Sequence, residues 1–243
     1  KSNEKIADLI ESIINQKNHN LSPDKILEKA RKGIIEPEFI EKAKKYIGST
    51  NWKTKNTGIK LVGILGLKEN IPELINIIKD RRPAPFLHRL LGGDFINVGF
   101  LRRNAVLSLI KLGEINEDIR SALYFALKDP YWEVKASACK AFSHLELEVN
   151  YNKVIPEITN LIFDKHFEVI VEAVSCLGKI SSNKEVLYSL RKIYNHPNRK
   201  VKIEIIKTLK VLFEKGIIKN KEELYKELDQ IFVPGINIRD LIK

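Results

Sequence analysis

Apolar residues recur at helical spacing along nearly the whole chain, inside a unit that itself repeats. A polar turn leads to an apolar marker, then a basic or bulky residue, and three positions later a small residue opens a Leu/Ile-rich run. The unit reads Asp129-Pro130-Tyr131-Trp132-Glu133-Val134-Lys135 before Ala138, then Asp164-Lys165-His166-Phe167-Glu168-Val169-Ile170 before Ala173, and Asn198-Arg199-Lys200-Val201-Lys202 before Ile205. Upstream copies are Gly99-Phe100-Leu101-Arg102 before Ala105 and Asn51-Trp52-Lys53-Thr54-Lys55 before Gly58. From marker to marker (Thr54, Leu101, Val134, Val169, Val201) the steps are 47, 33, 35 and 32 residues. One interval therefore holds an insertion. A period of this length with helical patterning inside each unit predicts a stacked-helix solenoid, in which each unit buries its apolar face only against its neighbours.

The spacing places the first helix of each pair at 37–47, 71–79, 117–127, 153–163, 184–194 and 221–231, and the second at 51–65, 99–112, 131–145, 166–180 and 199–214. Ahead of the array, Ile6, Leu9, Ile10, Ile13 and Ile14 follow the i, i+3, i+4, i+7, i+8 pattern of an amphipathic helix. Ser22-Pro23 reads as an N-cap with Pro in the first helical position, and Gly33 as the stop of that helix. Residues 1–36 are thus expected to cap an array spanning 37–243, whose C-terminal stretch Ile236 to Ile242 either caps the other end or leads into more chain. Inside the array, residues 80–98 break the period. Two prolines, Pro83 and Pro85, stop the preceding helix, and Gly92-Gly93 reads as a turn.

These residues resemble the HEAT-repeat family, and in particular the bacterial and archaeal HEAT-like repeats of the phycobilin-lyase type. The resemblance lies in Asp129, Val134-Lys135, Ala138, Phe142 and Leu145 and their counterparts, in Leu101-Arg102-Arg103 as a Val-Arg element, and in Leu65-Gly66 and Leu177-Gly178 as helix-ending Leu-Gly elements. It covers residues 37 to 231 and implies an all-α, right-handed α-α solenoid of about five to six helix pairs. Ile170 stands where the pattern wants a basic residue, so the family's Asp-to-Arg ladder is expected to be interrupted there. Gly58 stands where it wants Ala.

Charge refines this picture. The net charge is +11, and the five second helices with their turns hold fourteen basic residues against four acidic ones. Nearly all the excess therefore lies on one helix layer. In HEAT-like arrays the second helices line the concave face, so the resemblance implies a basic groove formed by Lys53, Lys55, Lys60, Arg102, Arg103, Lys135, Lys140, Lys202 and Lys207. Such a groove attracts polyanions. An acidic protein segment and a nucleic acid are the two partners it fits, against the plainer reading that these lysines only solvate helix faces.

The insertion is the second candidate. Arg81, Arg82, His88 and Arg89 stand beside Phe86 and Phe95, a basic and aromatic mixture suited to anchoring a partner, unless the segment folds back to fill a gap between repeats. Trp52, Trp132 and Phe167 share one repeat position, where a structural role in the turn competes with stacking on bases. Some alkyl-base DNA glycosylases use a HEAT-like solenoid with Trp and Asp in a basic groove, but the Trp-Trp-Asp type of cluster is missing from this sequence. Five dispersed histidines give no metal-ligand spacing, and no nucleotide-binding glycine pattern occurs. No cofactor, small-molecule substrate or membrane contact is expected. Cys139 and Cys176 read as buried thiols, which fits reducing, cytoplasmic surroundings. The sequence thus points to a non-catalytic interaction scaffold, with nucleic-acid binding as the alternative.

Overall fold

The computed structural model describes residues 21–82, 95–145 and 153–238, and among them every regular element is helical. Helix α1 (Pro23–Arg31) precedes five helix pairs: α2 (Pro37–Ile47) with α3 (Trp52–Leu65), α4 (Ile71–Lys79) with α5 (Phe95–Leu112), α6 (Glu117–Leu127) with α7 (Trp132–His144), α8 (Val154–Leu161) with α9 (Phe167–Ile180), and α10 (Glu185–Arg191) with α11 (Arg199–Glu214). Helix α12 (Lys221–Leu228) closes the array. The helical spacing of apolar residues thus located the elements to within a few residues. The main departure is α5, which begins at Phe95 and so takes up the last residues of the expected insertion. Residues 1–20, with the amphipathic stretch Ile6 to Ile14, lie outside the described residues.

Local chemistry explains most boundaries. Asn51, Asn116, Asn198 and Asn220 each accept backbone N–H groups of the helix that follows, satisfying donors that the first turn leaves without partners. Pro23 and Pro37 open α1 and α2, where no intrahelical donor is lost. Ser22 makes no side-chain cap hydrogen bond, so proline alone marks that start. Gly66 ends α3 in the left-handed region at φ 71°, a conformation that costs a residue with a Cβ about 1–2 kcal/mol. Leu177-Gly178 departs from expectation. Gly178 is buried inside α9 rather than at its end, and a Cβ there would stand 2.8 Å from Cγ2 of Thr208.

The second helices α3, α5, α7, α9 and α11 pack side by side in chain order as one layer. Helices α4, α6 and α8 neighbour one another in the other layer, and α1 packs on α3 at the N-terminal end. One continuous apolar cluster runs from Ile26 to Val233 between the layers, with Phe39 and Phe142 among its largest buried side chains. Each such ring contributes roughly 1.5–3 kcal/mol by leaving water. Cys139 and Cys176 are fully buried in this cluster, and burial pushes both thiols up, away from the reactive thiolate. No helix among the described residues is long and apolar enough to cross a membrane.

Helix approach is closest where side chains are smallest. At Gly58, the position held by Ala105, Ala138 and Ala173 in later repeats, an added Cβ would lie 2.3 Å from the backbone nitrogen of Ile47 and 2.6 Å from the carbonyl carbon of Tyr46. Backbone cannot rotate away, so Gly58→Ala, which restores the family residue, should force α2 and α3 apart. The expected loss is about 1–3 kcal/mol in urea unfolding; an unchanged or raised midpoint would contradict this packing.

Candidate interaction surface

Each turn entering a second helix is closed by one side chain that accepts the backbone N–H two residues on. Five positions before the marker, Ser49 accepts from Asn51, Asp129 from Tyr131, Asp164 from His166, and the His196 ring nitrogen from Asn198. In the interrupted repeat, Asp80 ahead of the insertion does this for Arg82. The residue just after each marker then reaches across to the acceptor of the next repeat. Arg102 donates through Nε and Nη2 to both oxygens of Asp129 at 2.7 and 2.9 Å, and Lys135 pairs with Asp164. Lys55 acts electrostatically on Asp80, and Lys202 donates to the Phe232 carbonyl at 2.8 Å. Only Ile170 offers no donor, and it faces a repeat whose acceptor is His196 rather than a carboxylate.

This ladder changes the standing of several predicted groove residues. Arg102 is 5% exposed and its guanidinium is committed to Asp129 and the Asp80 carbonyl, so it is a structural residue and not a contact for a partner. Lys135 is likewise held by Asp164. The reason is the same for both: their pairing partners lie 27 and 29 residues away, in the next turn. Arg103 pairs with Glu133, Lys202 holds a carbonyl, and Lys207 stands 3.5 Å from Glu204. Lys60 is half-buried over the Phe100 ring at 5.4 Å, and burial, helped by Arg31 and Arg103, lowers its pKa. Lys55 lines a shallow hollow with Asn76 and Asp80. Lys53 and Lys140 are exposed and make no ion pair among the described residues.

The insertion residues divide similarly. Arg81 stacks on the Phe125 ring at 3.7 Å and donates to the Phe125 carbonyl at 2.6 Å, with its Nε 3.6 Å from Asp129. It lies beside the Arg102 rung and is tied to α6, while 29% of its side chain stays exposed. Arg82 is exposed and held by Asp80 through both carboxylate oxygens. Phe95 begins α5. Phe86, His88 and Arg89 lie outside the described residues.

A feature that the charge count hid lies on the outer face of the second-helix layer. Trp132, Glu133, Ala136 and Ser137 of α7 and Phe167, Glu168, Val171 and Glu172 of α9 occupy the same positions in consecutive repeats and line one cleft of about 370 Å³, with Arg103 and Lys200 at its sides. His166 stacks on Trp132 at 5.3 Å and Lys200 lies over Phe167 at 5.4 Å. Burial raises the pKa of Glu172, opposed by Lys140 and assisted by Glu204. Among the described residues, Glu168 and Glu172 make no ion pair. In sequence these two count only as a minority of the layer's charge; the available signal was Phe167-Glu168 at the repeat positions that Trp132-Glu133 hold one repeat earlier.

At the C-terminal end, Arg191 of α10 pairs through two nitrogens with the buried Glu227 of α12, which also accepts from the Tyr194 hydroxyl at 2.8 Å. Burial would raise the Glu227 pKa, but the hydrogen bonds from Arg191 and Tyr194 outweigh it and hold the group below its ordinary range. Asp164 is held low in the same way: burial pushes it up, and the bonds from Lys135 and the His166 N–H pull it further down. Among the described residues, no group of three His, Cys, Asp or Glu could hold a metal ion.

Two predictions follow from these pairs. Asp129→Ala should leave the buried Arg102 uncompensated and cost about 3–5 kcal/mol in urea unfolding; a loss below about 1 kcal/mol would remove the ladder from the account of stability. The depressed folded values of Asp164 and Glu227 mean that their contribution is present above the unfolded carboxylate range, about pH 4, and lost as pH falls through the folded values. Glu172 has the opposite sign, since its raised value makes ionisation unfavourable to folding. Urea midpoints measured from pH 3 to 7 should therefore fall less steeply on the acid side in Asp164→Asn, while Glu172→Gln should raise the midpoint at neutral pH; curves parallel to the parent would contradict both signs.

Comparison with known proteins agrees with this geometry. Residues 119–210 match the family model of HEAT repeats. The match is to HEAT repeats in general and does not single out the phycobilin-lyase type. No curated protein matches the chain. The matched span runs from α6 into α11, and the turn acceptors and the ladder found there continue ahead of it in Ser49, Asp80 and Arg102. Residues 119–210 are HEAT repeats, set within an all-helical stack.

Proposed function

We propose that this chain is a non-catalytic interaction scaffold that binds an acidic protein segment along the outer face of its second-helix layer. HEAT repeats generally mediate protein interaction. The observation that supports the finer reading is a set of exposed cations on four of the five second helices with no ion-pair partner among the described residues: Lys53 on α3, Lys140 on α7, Lys179 on α9 and Arg199 on α11. Arg102 and Lys135 hold the repeats together, while these four remain available to a partner.

A nucleic acid is the second reading, because phosphates would use the same cations. The carboxylates Glu168 and Glu172 midway along the face favour protein, since they repel a continuous phosphate backbone but accommodate a segment of mixed charge.

Fluorescence anisotropy tests both readings. A labelled oligoglutamate peptide should bind at about 50 mM salt and weaken by about 10-fold or more in the Lys53→Glu, Lys140→Glu, Lys179→Glu triple variant. Duplex and single-stranded oligonucleotides should bind more weakly than the peptide. Tighter oligonucleotide binding, with a loss of about 10³-fold between about 50 and 200 mM salt, would replace the protein reading with the nucleic-acid one.

A further inference from the structure

The charged lining of the cleft between α7 and α9 does not match the cationic face around it. Arg103 and Glu133 satisfy one another, which leaves Glu168 and Glu172 without an ion pair among the described residues, with Lys200 at the side of the cleft and Lys140 and Lys179 acting on Glu172 only from beyond ion-pair distance. Lys200 is itself drawn to the Phe167 ring. Two carboxylates thus stand in a cleft walled by an indole and a phenyl ring, without an ion pair among the described residues. Aromatic faces attract cations through their quadrupole, and a carboxylate beside them adds charge and hydrogen-bond acceptors. Val171 and Ala136 supply an apolar floor on which an alkyl stem can lie.

We propose that this cleft is an anchor site for one arginine side chain of a protein partner. Arginine suits it better than lysine, because its planar guanidinium stacks on rings and presents parallel N–H groups to carboxylates. At about 370 Å³ the cleft is at the low end of ligand-site volumes and has room for one long side chain. The inference rests on the scaffold reading above and sharpens it: the partner is an acidic segment interrupted by an arginine. Cations along the layer hold the flanks, and the cleft sets the register, since only one point of the segment can satisfy Glu168 and Glu172.

The sequence has two tryptophans, so Trp52→Phe leaves Trp132 in the cleft wall as sole indole reporter. In that protein, Nα-acetyl-arginine amide should change Trp132 emission saturably, with half-saturation in the millimolar range. The neutral isostere Nα-acetyl-citrulline amide should bind at least about 10-fold more weakly, as should the arginine probe to the Glu168→Gln, Glu172→Gln variant. Lys53→Glu, on α3 and outside the cleft, should keep the response. Equal responses to arginine and citrulline, or an unchanged response in the glutamine variant with an unaltered thermal melt, would overturn the anchor site. Oligoglutamate binding without any arginine response would also overturn it, leaving the scaffold reading in place. An arginine response without oligoglutamate binding would support the cleft and reject the acidic partner.

Discussion

The centre of the array depends on one constraint that recurs at two consecutive joints: the basic residue after the marker meets the turn carboxylate of the next repeat, Arg102 on Asp129 and Lys135 on Asp164. Apolar stacking between α5, α7 and α9 supplies attraction but little direction, because dispersion and water exclusion reward many relative positions almost equally. The Arg102 fork on Asp129 allows one. Asp129 also closes its own turn through the Tyr131 N–H, so the same carboxylate fixes where α7 starts and where α5 lies against it. Burying such a pair carries a desolvation cost that can exceed its Coulombic gain, and its value lies in register rather than in net stability.

That constraint also sorts the charge. The second-helix layer is strongly basic by composition, yet Arg102 and Lys135 are taken by the joints, Arg103 by Glu133 and Lys202 by a carbonyl. In the proposed scaffold, a partner would meet the cations left over, such as Lys53, Lys140 and Lys179, and the aromatic and acidic cleft between α7 and α9. Side chains of one type at neighbouring positions thus have unrelated jobs. Arg102 and Arg103 are adjacent in sequence, and one is buried in a joint while the other borders the cleft.

Helix positions were legible because burial at a spacing of 3.6 residues leaves a trace in every second helix, from Ile59 and Val62 to Ile205 and Leu209. The gap in the ladder at Ile170 was legible too, since the residue itself cannot donate. The turn acceptors were less so. Ser49, Asp129, Asp164 and His196 perform one task with three kinds of side chain, so no pattern of residue type reveals it. The fate of the cations was hidden for another reason: pairs across 27 to 30 residues form only once the repeat length is expressed as a turn of the stack. Leu177-Gly178 misled because glycine serves equally to end a helix and to let two helices approach, and here Thr208 lies against it.

Between α9 and α11 the directional rung is missing. Ile170 meets no acceptor, and the joint rests on apolar contact, on Thr208 bonding the Val174 carbonyl at 3.3 Å, and on Lys215 gathering the carbonyls of Gly178, Lys179 and Ser181 beyond the helix end. The register of α11 on α9 is therefore set by a neutral hydroxyl within the helices and by one lysine beyond the helix end, where the joints from α5 to α9 use a charged pair inside the turn.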